Sequence, residues 1–201
     1  EESLRTTTIQ GIGDIQANAI FTLLRRDSST LRHLILAGGG VGLPTGKYMQ
    51  RDATLSTLPV GFQVGTGSWS GSTSALYMIR YKKYGYLIQG DLRTYSENEN
   101  LFKKGNVSVF QTGFFRQFPI GQKAQLFANI GYRMEYLEKD TEFGNRKIDS
   151  GSNSNWATTS LDLFTNKFSC SLQYNMPVSS VYNGNQPIQT NRFAVSLSYM
   201  W

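Results

Sequence analysis

The segment from Ala124 to Tyr136 constrains the fold more than any other part of the chain. Every second residue is apolar over seven successive positions, whereas the residues between them are mostly polar or glycine. A period of two is typical of a β-strand, because a helix repeats every 3.6 residues. One face of the strand carries Ala124, Leu126, Ala128, Ile130, Tyr132, Met134 and Tyr136, and the other carries Gln125, Asn129, Gly131, Arg133 and Glu135. The pattern predicts a strand whose two faces meet different media.

The last nine residues of the sequence repeat this pattern. Phe193, Val195, Leu197, Tyr199 and Trp201 share one face, Ala194, Ser196 and Ser198 share the other, and Met200 is the exception. This strand resembles the final strand of bacterial outer-membrane β-barrels, which ends on an aromatic residue and is read by the barrel-assembly machinery. The resemblance implies a chain from a Gram-negative bacterium that contacts the lipid bilayer and that machinery.

Composition agrees with a barrel and argues against other classes. Charged residues make up 17% of the 201 residues, below the roughly 25% usual in soluble domains. No stretch approaches the roughly 18 apolar residues of a membrane helix. The net charge of +6 comes from scattered basic residues, so no nucleic-acid partner is predicted. A single cysteine, Cys170, excludes an internal disulfide.

Alternation and turn residues predict nine strands. They are placed at 15–26, 31–43, within 61–81, and at 84–95, 106–118, 124–136, 156–165, 168–176 and 193–201. The strand at 106–118 is aromatic on both faces, so its orientation is left open. Short turns near 27–30, 82–83, 119–123 and 166–167 alternate with long loops near 45–60, 96–104, 138–155 and 177–191. The prediction is an all-β, antiparallel, up-and-down transmembrane barrel with long external loops.

An odd strand count does not fit a barrel with both ends of the chain on one side. We therefore expect residues 1–201 to form a single barrel domain that lacks one or more N-terminal strands, with 10 or 12 strands in the intact protein. The alternatives are a miscount by one, or a strand contributed by the first dozen residues.

Three glycine-rich motifs carry a second resemblance. They are Gly11-Ile12-Gly13-Asp14, the segment from Gly38 through Leu43-Pro44-Thr45-Gly46 to Lys47, and Gly65-Thr66-Gly67-Ser68. Their order is similar to that in the family of outer-membrane transporters named for the meta-pathway of phenol degradation. The resemblance spans roughly residues 11–70. It implies a pore for small compounds, often aromatic ones, and brings no catalytic residues.

Polar residues on two predicted strands are candidates for the lumen of the barrel. They are Gln89, Asp91, Arg93, Gln125, Asn129, Arg133 and Glu135. Two interpretations stay open: a hydrogen-bonded plug that fills a narrow barrel, or a lining that selects a solute. Aromatic residues are predicted at the membrane interfaces. These are Tyr81, Tyr84, Tyr86, Trp156 and Trp201.

No chemistry-bearing motif is complete. The Gly-rich segment lacks the glycine and the Ser/Thr that a phosphate loop needs, since Val41 and Tyr48 occupy those positions. The single histidine, His33, lies beside a short turn, and no Cys/His cluster predicts a metal or cofactor site. The sequence thus favours a non-catalytic channel or transporter for a small solute. The alternative is a structural or interaction subunit, with a plugged lumen and loops that bind other outer-membrane proteins.

Overall fold

A computed structural model describes residues 10–48, 63–186 and 188–199, and these residues form twelve strands. The nine predicted strands are confirmed, and three two-residue strands lie in the loops between them. In chain order the strands are β1 (Ile15–Asp27), β2 (Leu31–Leu43), β3 (Ser70–Tyr81), β4 (Tyr84–Tyr95), β5 (Phe102–Lys103), β6 (Val107–Ile120), β7 (Ala124–Leu137), β8 (Thr141–Glu142), β9 (Asn145–Arg146), β10 (Ser152–Thr165), β11 (Phe168–Tyr182) and β12 (Arg192–Tyr199).

The nine long strands form one antiparallel sheet in which each strand pairs with its neighbour in the chain. The connections at 28–30, 82–83, 121–123 and 166–167 are short, and those on the opposite rim are long. The short strands β5, β8 and β9 form a separate sheet on the long-loop rim. Within the described residues, β1 pairs only with β2 and β12 only with β11, so the long sheet has two edges. Among these residues, no helix is long and apolar enough to cross a membrane.

The continuous register gives the sheet two faces of opposite character. On one face, which we call the apolar face, Phe114 is 65% exposed, Ile130 69% and Leu197 77%. The other, which we call the polar face, carries Gln111, Arg133 and their neighbours, since directly paired residues point to the same side. Water-soluble monomers rarely expose an apolar surface of this extent.

The sheet curls toward its polar face. Arg93 on β4 donates to Gln16 on β1 at 3.0 Å, although two strands lie between them. At the other edge, Arg192 on β12 reaches Glu135 on β7 at 2.9 Å, again across two intervening strands. Strands three steps apart lie about 14 Å apart in a flat sheet. These contacts therefore require the strong curvature of a barrel wall.

Two bulges keep the polarity of the faces constant. The register between β1 and β2 shifts between Thr22 and Leu24, so that Leu24 joins the apolar face against Ile35. A second shift lies where Asn155 pairs with Ser179 and Trp156 with Pro177. This bulge accommodates Pro177, which has no N–H to give to the ladder. The predicted end of this strand at 176 was therefore too early, since β11 continues to Tyr182.

The short-turn half of the polar face contains an aromatic row. Phe115, only 5% exposed, packs edge-on against Phe127, which in turn packs against Phe164. The ring of Phe115 also lies over Gly85 of the paired strand, where an added Cβ would fall 2.1 Å from the ring. The absence of a side chain at Gly85 thus leaves the space that the Phe115 ring occupies.

Replacing Gly85 with alanine should destabilise the barrel by about 1–3 kcal/mol, because the buried Phe115 ring must move. Gly90→Ala is the matched control: it lies on the same strand with no atom within 4 Å of the added Cβ. The control should be neutral or slightly stabilising, since alanine restricts the unfolded chain. The measurement is the urea unfolding midpoint of the intact protein in lipid vesicles. Equal effects of the two substitutions would contradict the role of Gly85.

Candidate functional site

All seven predicted lumen residues lie on the polar face. Gln89, Asp91 and Arg93 come from β4, and Gln125, Asn129, Arg133 and Glu135 come from β7. The strand β6, whose orientation the sequence left open, lies between them. Its Gln111 pairs with both Gln89 and Arg133, whereas Phe110 and Phe114 project from the apolar face. The predicted polar residues of β4 and β7 are therefore joined into one surface through β6.

Glu135 holds together an ionic group that we call the Glu135 cluster, made of Arg133, Glu135 and Arg192. Glu135 is 6% exposed. Arg133 Nε lies 2.7 Å from its Oε1, and Arg192 Nη1 lies 2.9 Å from both carboxylate oxygens. A buried carboxylate is stable only when its charge is compensated in this way. The cluster thus fixes the position of two cations that project over the polar face.

The prediction for Trp156 was wrong. Trp156 pairs with Arg133 and lies on the polar face, fully buried, and not at a membrane interface. The guanidinium of Arg192 stacks over its ring at 4.0 Å, in the geometry of a cation–π contact. From the sequence, a tryptophan at the end of a predicted strand could lie at a lipid interface or beneath a cation on the polar face. Only the register of β10 distinguishes the two positions.

Sequence reasoning missed Asp162, the centre of a second polar network. Its Oδ2 accepts hydrogen bonds from Asn129 Nδ2 at 2.5 Å and from Ser160 Oγ at 2.8 Å. Its Oδ1 accepts from Ser171 Oγ on the next strand. The alternation of Ser160 and Asp162 with Leu161 and Leu163 was the available signal. Three donors satisfy this carboxylate, so it needs no cation beside it.

Two hollows lie on the polar face. The larger, of about 470 Å³, is lined by Asn18, Ser72, Ser74, Asp91, Arg93 and Arg133, among others. The smaller, of about 340 Å³, lies over the glycines Gly113 and Gly131 and is lined by Gln89, Gln111, Asn129, Arg133 and Asp162, among others. Arg133 lines both hollows, so the Glu135 cluster stands between them. Most of the side chains on the walls can hydrogen-bond with a polar solute.

Three of the remaining predicted interface aromatics lie on the apolar face. Tyr81 and Tyr84, which pair with each other beside a short turn, are 55% and 59% exposed. One rung further along β4, Tyr86 shares a 2.6 Å hydrogen bond with Thr112. Arg116 stacks over the Tyr84 ring at 5.4 Å. Trp201 lies outside the described residues.

The three glycine-rich motifs meet in one place, which we call the Asp14 clasp. Asp14 Oδ1 accepts from Gly46 N at 2.9 Å, and Oδ2 accepts from Thr66 N at 2.9 Å and from Thr66 Oγ1 at 2.7 Å. Gly46 and Gly65 touch through their backbones, since a Cβ on Gly65 would lie 2.4 Å from the Gly46 carbonyl carbon. These contacts therefore hold together, on the long-loop rim, three segments that are far apart in the sequence.

The clasp lowers the pKa of Asp14. Partial burial alone would raise it, but the hydrogen bonds from Thr66 and Gly46, with the positive charge of Lys104, outweigh burial.

The single histidine lies on the opposite rim, where His33 Nδ1 is 3.0 Å from Tyr77 Oη on the apolar face. The part of the chain that the structure describes contains no group of three or more His, Cys, Asp or Glu residues that could hold a metal.

Comparisons with known proteins relate the chain to one class of fold. No protein-family model and no curated protein matches the sequence. Among solved structures, the chain is similar to the COG4313 outer membrane channel from Pseudomonas putida F1, with a TM-score of 0.71 and 18% identity. The match covers 94% of this chain, which spans 66% of the channel's length. The fold is therefore that of an outer-membrane β-barrel wall.

Neutralising Glu135 should destabilise the protein, because Arg133 and Arg192 would face each other without a counter-charge. Glu135→Gln should cost about 1–3 kcal/mol of unfolding free energy, and combining it with Arg192→Gln should recover part of that loss. Glu142→Gln is the matched control, since its pair with Lys147 is roughly half exposed and should cost less than about 1 kcal/mol. A double-mutant cycle by urea unfolding gives these values. Additive losses at Glu135 and Arg192 would refute the coupling.

The lowered pKa of Asp14 predicts a pH-dependent stability difference between wild type and Asp14→Asn. A carboxylate whose folded pKa is depressed contributes stability above its unfolded pKa, about 3.9, and loses it as pH falls through the lower folded value. We expect a difference of about 1–2 kcal/mol at pH 7 that shrinks steadily below about pH 4. Thermal unfolding from pH 7 to pH 3 measures it. A difference that is constant over this range would contradict the charged clasp.

Proposed function

We propose that the chain is part of a passive, non-catalytic outer-membrane channel for a small solute. One observation carries the proposal: a single curved sheet exposes an apolar face and gathers most of its ionisable and amide groups on the other. In a bilayer, such a sheet places the apolar face against lipid and encloses the polar face around water. The similarity to a solved outer membrane channel supports this placement.

The outer membrane of a Gram-negative bacterium is the proposed location. A sheet edge in hydrocarbon leaves backbone N–H and C=O groups without partners, at a cost of several kcal/mol each. The edges at β1 and β12 therefore need further strands to close the barrel. We propose that the intact domain supplies them, and that the assembly machinery engages β12, whose outward residues Phe193, Val195 and Leu197 are strongly exposed.

A lining, and not a sealed plug, is the function we assign to the polar face. The Glu135 cluster and the Asp162 network are satisfied by contacts within the wall, and the two hollows beside them are open. Arg93 borders the larger hollow and is held there by its hydrogen bond to Gln16, an uncharged partner. Arg93 therefore presents an unneutralised charge to a solute.

Charge reversal at Arg93 should change the ion selectivity of the pore. In planar bilayers, the intact protein should give discrete conductance steps, and Arg93→Glu should shift the reversal potential toward cation selectivity, since a lumen cation becomes an anion. Arg116→Glu is the matched control. Arg116 projects from the apolar face at the short-turn rim, stacked on Tyr84 and Phe118, and should leave the reversal potential unchanged.

Two outcomes would contradict the channel. One is an intact protein that folds and inserts but shows no conductance steps. The other is a conducting protein in which Arg93→Glu and Arg116→Glu shift the reversal potential equally, because then the polar face does not line the path of the ions.

A further inference from the structure

A third cavity lies on the long-loop rim, outside the polar face. It has a volume of about 510 Å³ and opens between the small sheet of β5, β8 and β9 and the ends of the long strands. Its floor includes Tyr136, Asn153 and Val181, which pair side by side across β7, β10 and β11. Tyr136 and Val181 are 52% and 69% exposed on the apolar face. The cavity therefore opens on the outer side of the wall.

The walls of this cavity are strongly basic. Lys103, Lys104, Lys139 and Arg146 line it, and Glu138 is the one carboxylate among the described lining residues, so four cations against one anion leave a local charge of +3. Glu138 accepts a hydrogen bond from Asn106 at 2.8 Å. The adjacent Asp140 accepts one from Gly105 N at 2.8 Å and does not line the cavity.

Three of the four cations of the cavity lack an ion-pair partner within the described ranges. Among the described residues, no ion pair involves Lys103, Lys139 or Arg146. The nearby Glu142 is already paired with Lys147 at 2.8 Å. The fourth cation, Lys104, lies over the Tyr95 ring at 5.2 Å, and its positive charge also acts on Asp14. Converging unpaired cations repel one another, so a bound anion would stabilise this arrangement.

We propose that this cavity binds the phosphorylated sugar headgroup of an outer-leaflet glycolipid, of the lipid A type. Lysine and arginine are the side chains that recognise phosphate. The exposed floor side chains Tyr136 and Val181, together with Met134 two residues further along the same face of β7, offer an apolar surface for acyl chains. A ligand that is anionic at one end and apolar at the other fits both parts, whereas free phosphate fits only the first. The proposal rests on the outer-membrane placement proposed above.

The test measures lipid A retention by the intact protein, using native mass spectrometry from detergent. The variant Lys103→Gln/Lys139→Gln/Arg146→Gln should weaken binding at least about tenfold, because each basic residue near an anionic headgroup adds to the attraction. The matched control is Lys83→Gln/Lys123→Gln/Lys167→Gln, which removes the same number of charges from the short turns. Its binding should stay within about twofold of wild type.

Dephosphorylated lipid A should bind as weakly to wild type as lipid A binds to the cavity variant. An equal loss of lipid A binding in the two triple variants would overturn the site. Complete displacement of bound lipid A by inorganic phosphate would overturn it as well. Conductance of the same preparations separates this proposal from the channel. If the protein conducts but the cavity variant retains as much lipid A as wild type, the lipid site alone is refuted. If the protein shows no conductance steps but loses lipid A in the cavity variant, the channel alone is refuted.

Discussion

The register of the backbone ladder is the constraint on which the rest of this structure depends. Side chains alternate between the faces of a strand, so a slip of one residue would move every side chain of that strand to the other face. Eight consecutive pairings keep most of the charged and amide side chains of nine strands on one side. The two bulges absorb single extra residues at Leu23 and Val178, and so restore the alternation where the chain would otherwise lose it.

The polarity of the faces explains why the inner charges are arranged in closed groups. A carboxylate such as Glu135 or Asp162, which is largely or partly buried, needs donors nearby. Each has one donor on its own strand and further donors on other strands, β12 for Glu135 and β7 and β11 for Asp162. Because the further donors come from other strands, these groups also tie the strands of the wall together. In the proposed channel, the charges that remain without an ionic partner, Arg93 among them, are those that a solute would meet.

Sequence reasoning located the strands and most of the polar face, because period-two alternation and turn residues are local signals. The strand from Ala124 to Tyr136 shows this most clearly, since every predicted orientation in it matches the register. Position across the sheet is not a local property, and there the predictions were incomplete. Trp156 was assigned to the wrong face, and Asp162 was overlooked because its partners Asn129 and Ser171 lie on other strands.

The loops were the least predictable part. Nothing in the composition of residues 138–155 indicates that β8 pairs with both β5 and β9, since the contact with β5 joins segments separated by some 40 residues. The family-like motifs fared differently. Their order along the chain was visible in the sequence. Their common role, the hydrogen bonding of Gly46 and Thr66 to Asp14, was not, because it depends on the contact between Gly46 and Gly65.

If the apolar face meets lipid and the polar face meets water, the accessibility of side chains to the two media must alternate along β7. Single cysteines at positions 128–135, in a Cys170→Ser background, would carry spin labels in the intact protein in liposomes. This arrangement predicts that labels at Ala128, Ile130, Tyr132 and Met134 collide with oxygen dissolved in the lipid, and that labels at Asn129, Gly131, Arg133 and Glu135 do not. Accessibility without alternation, or preferential collision of the Ile130 label with a water-soluble relaxant, would contradict it.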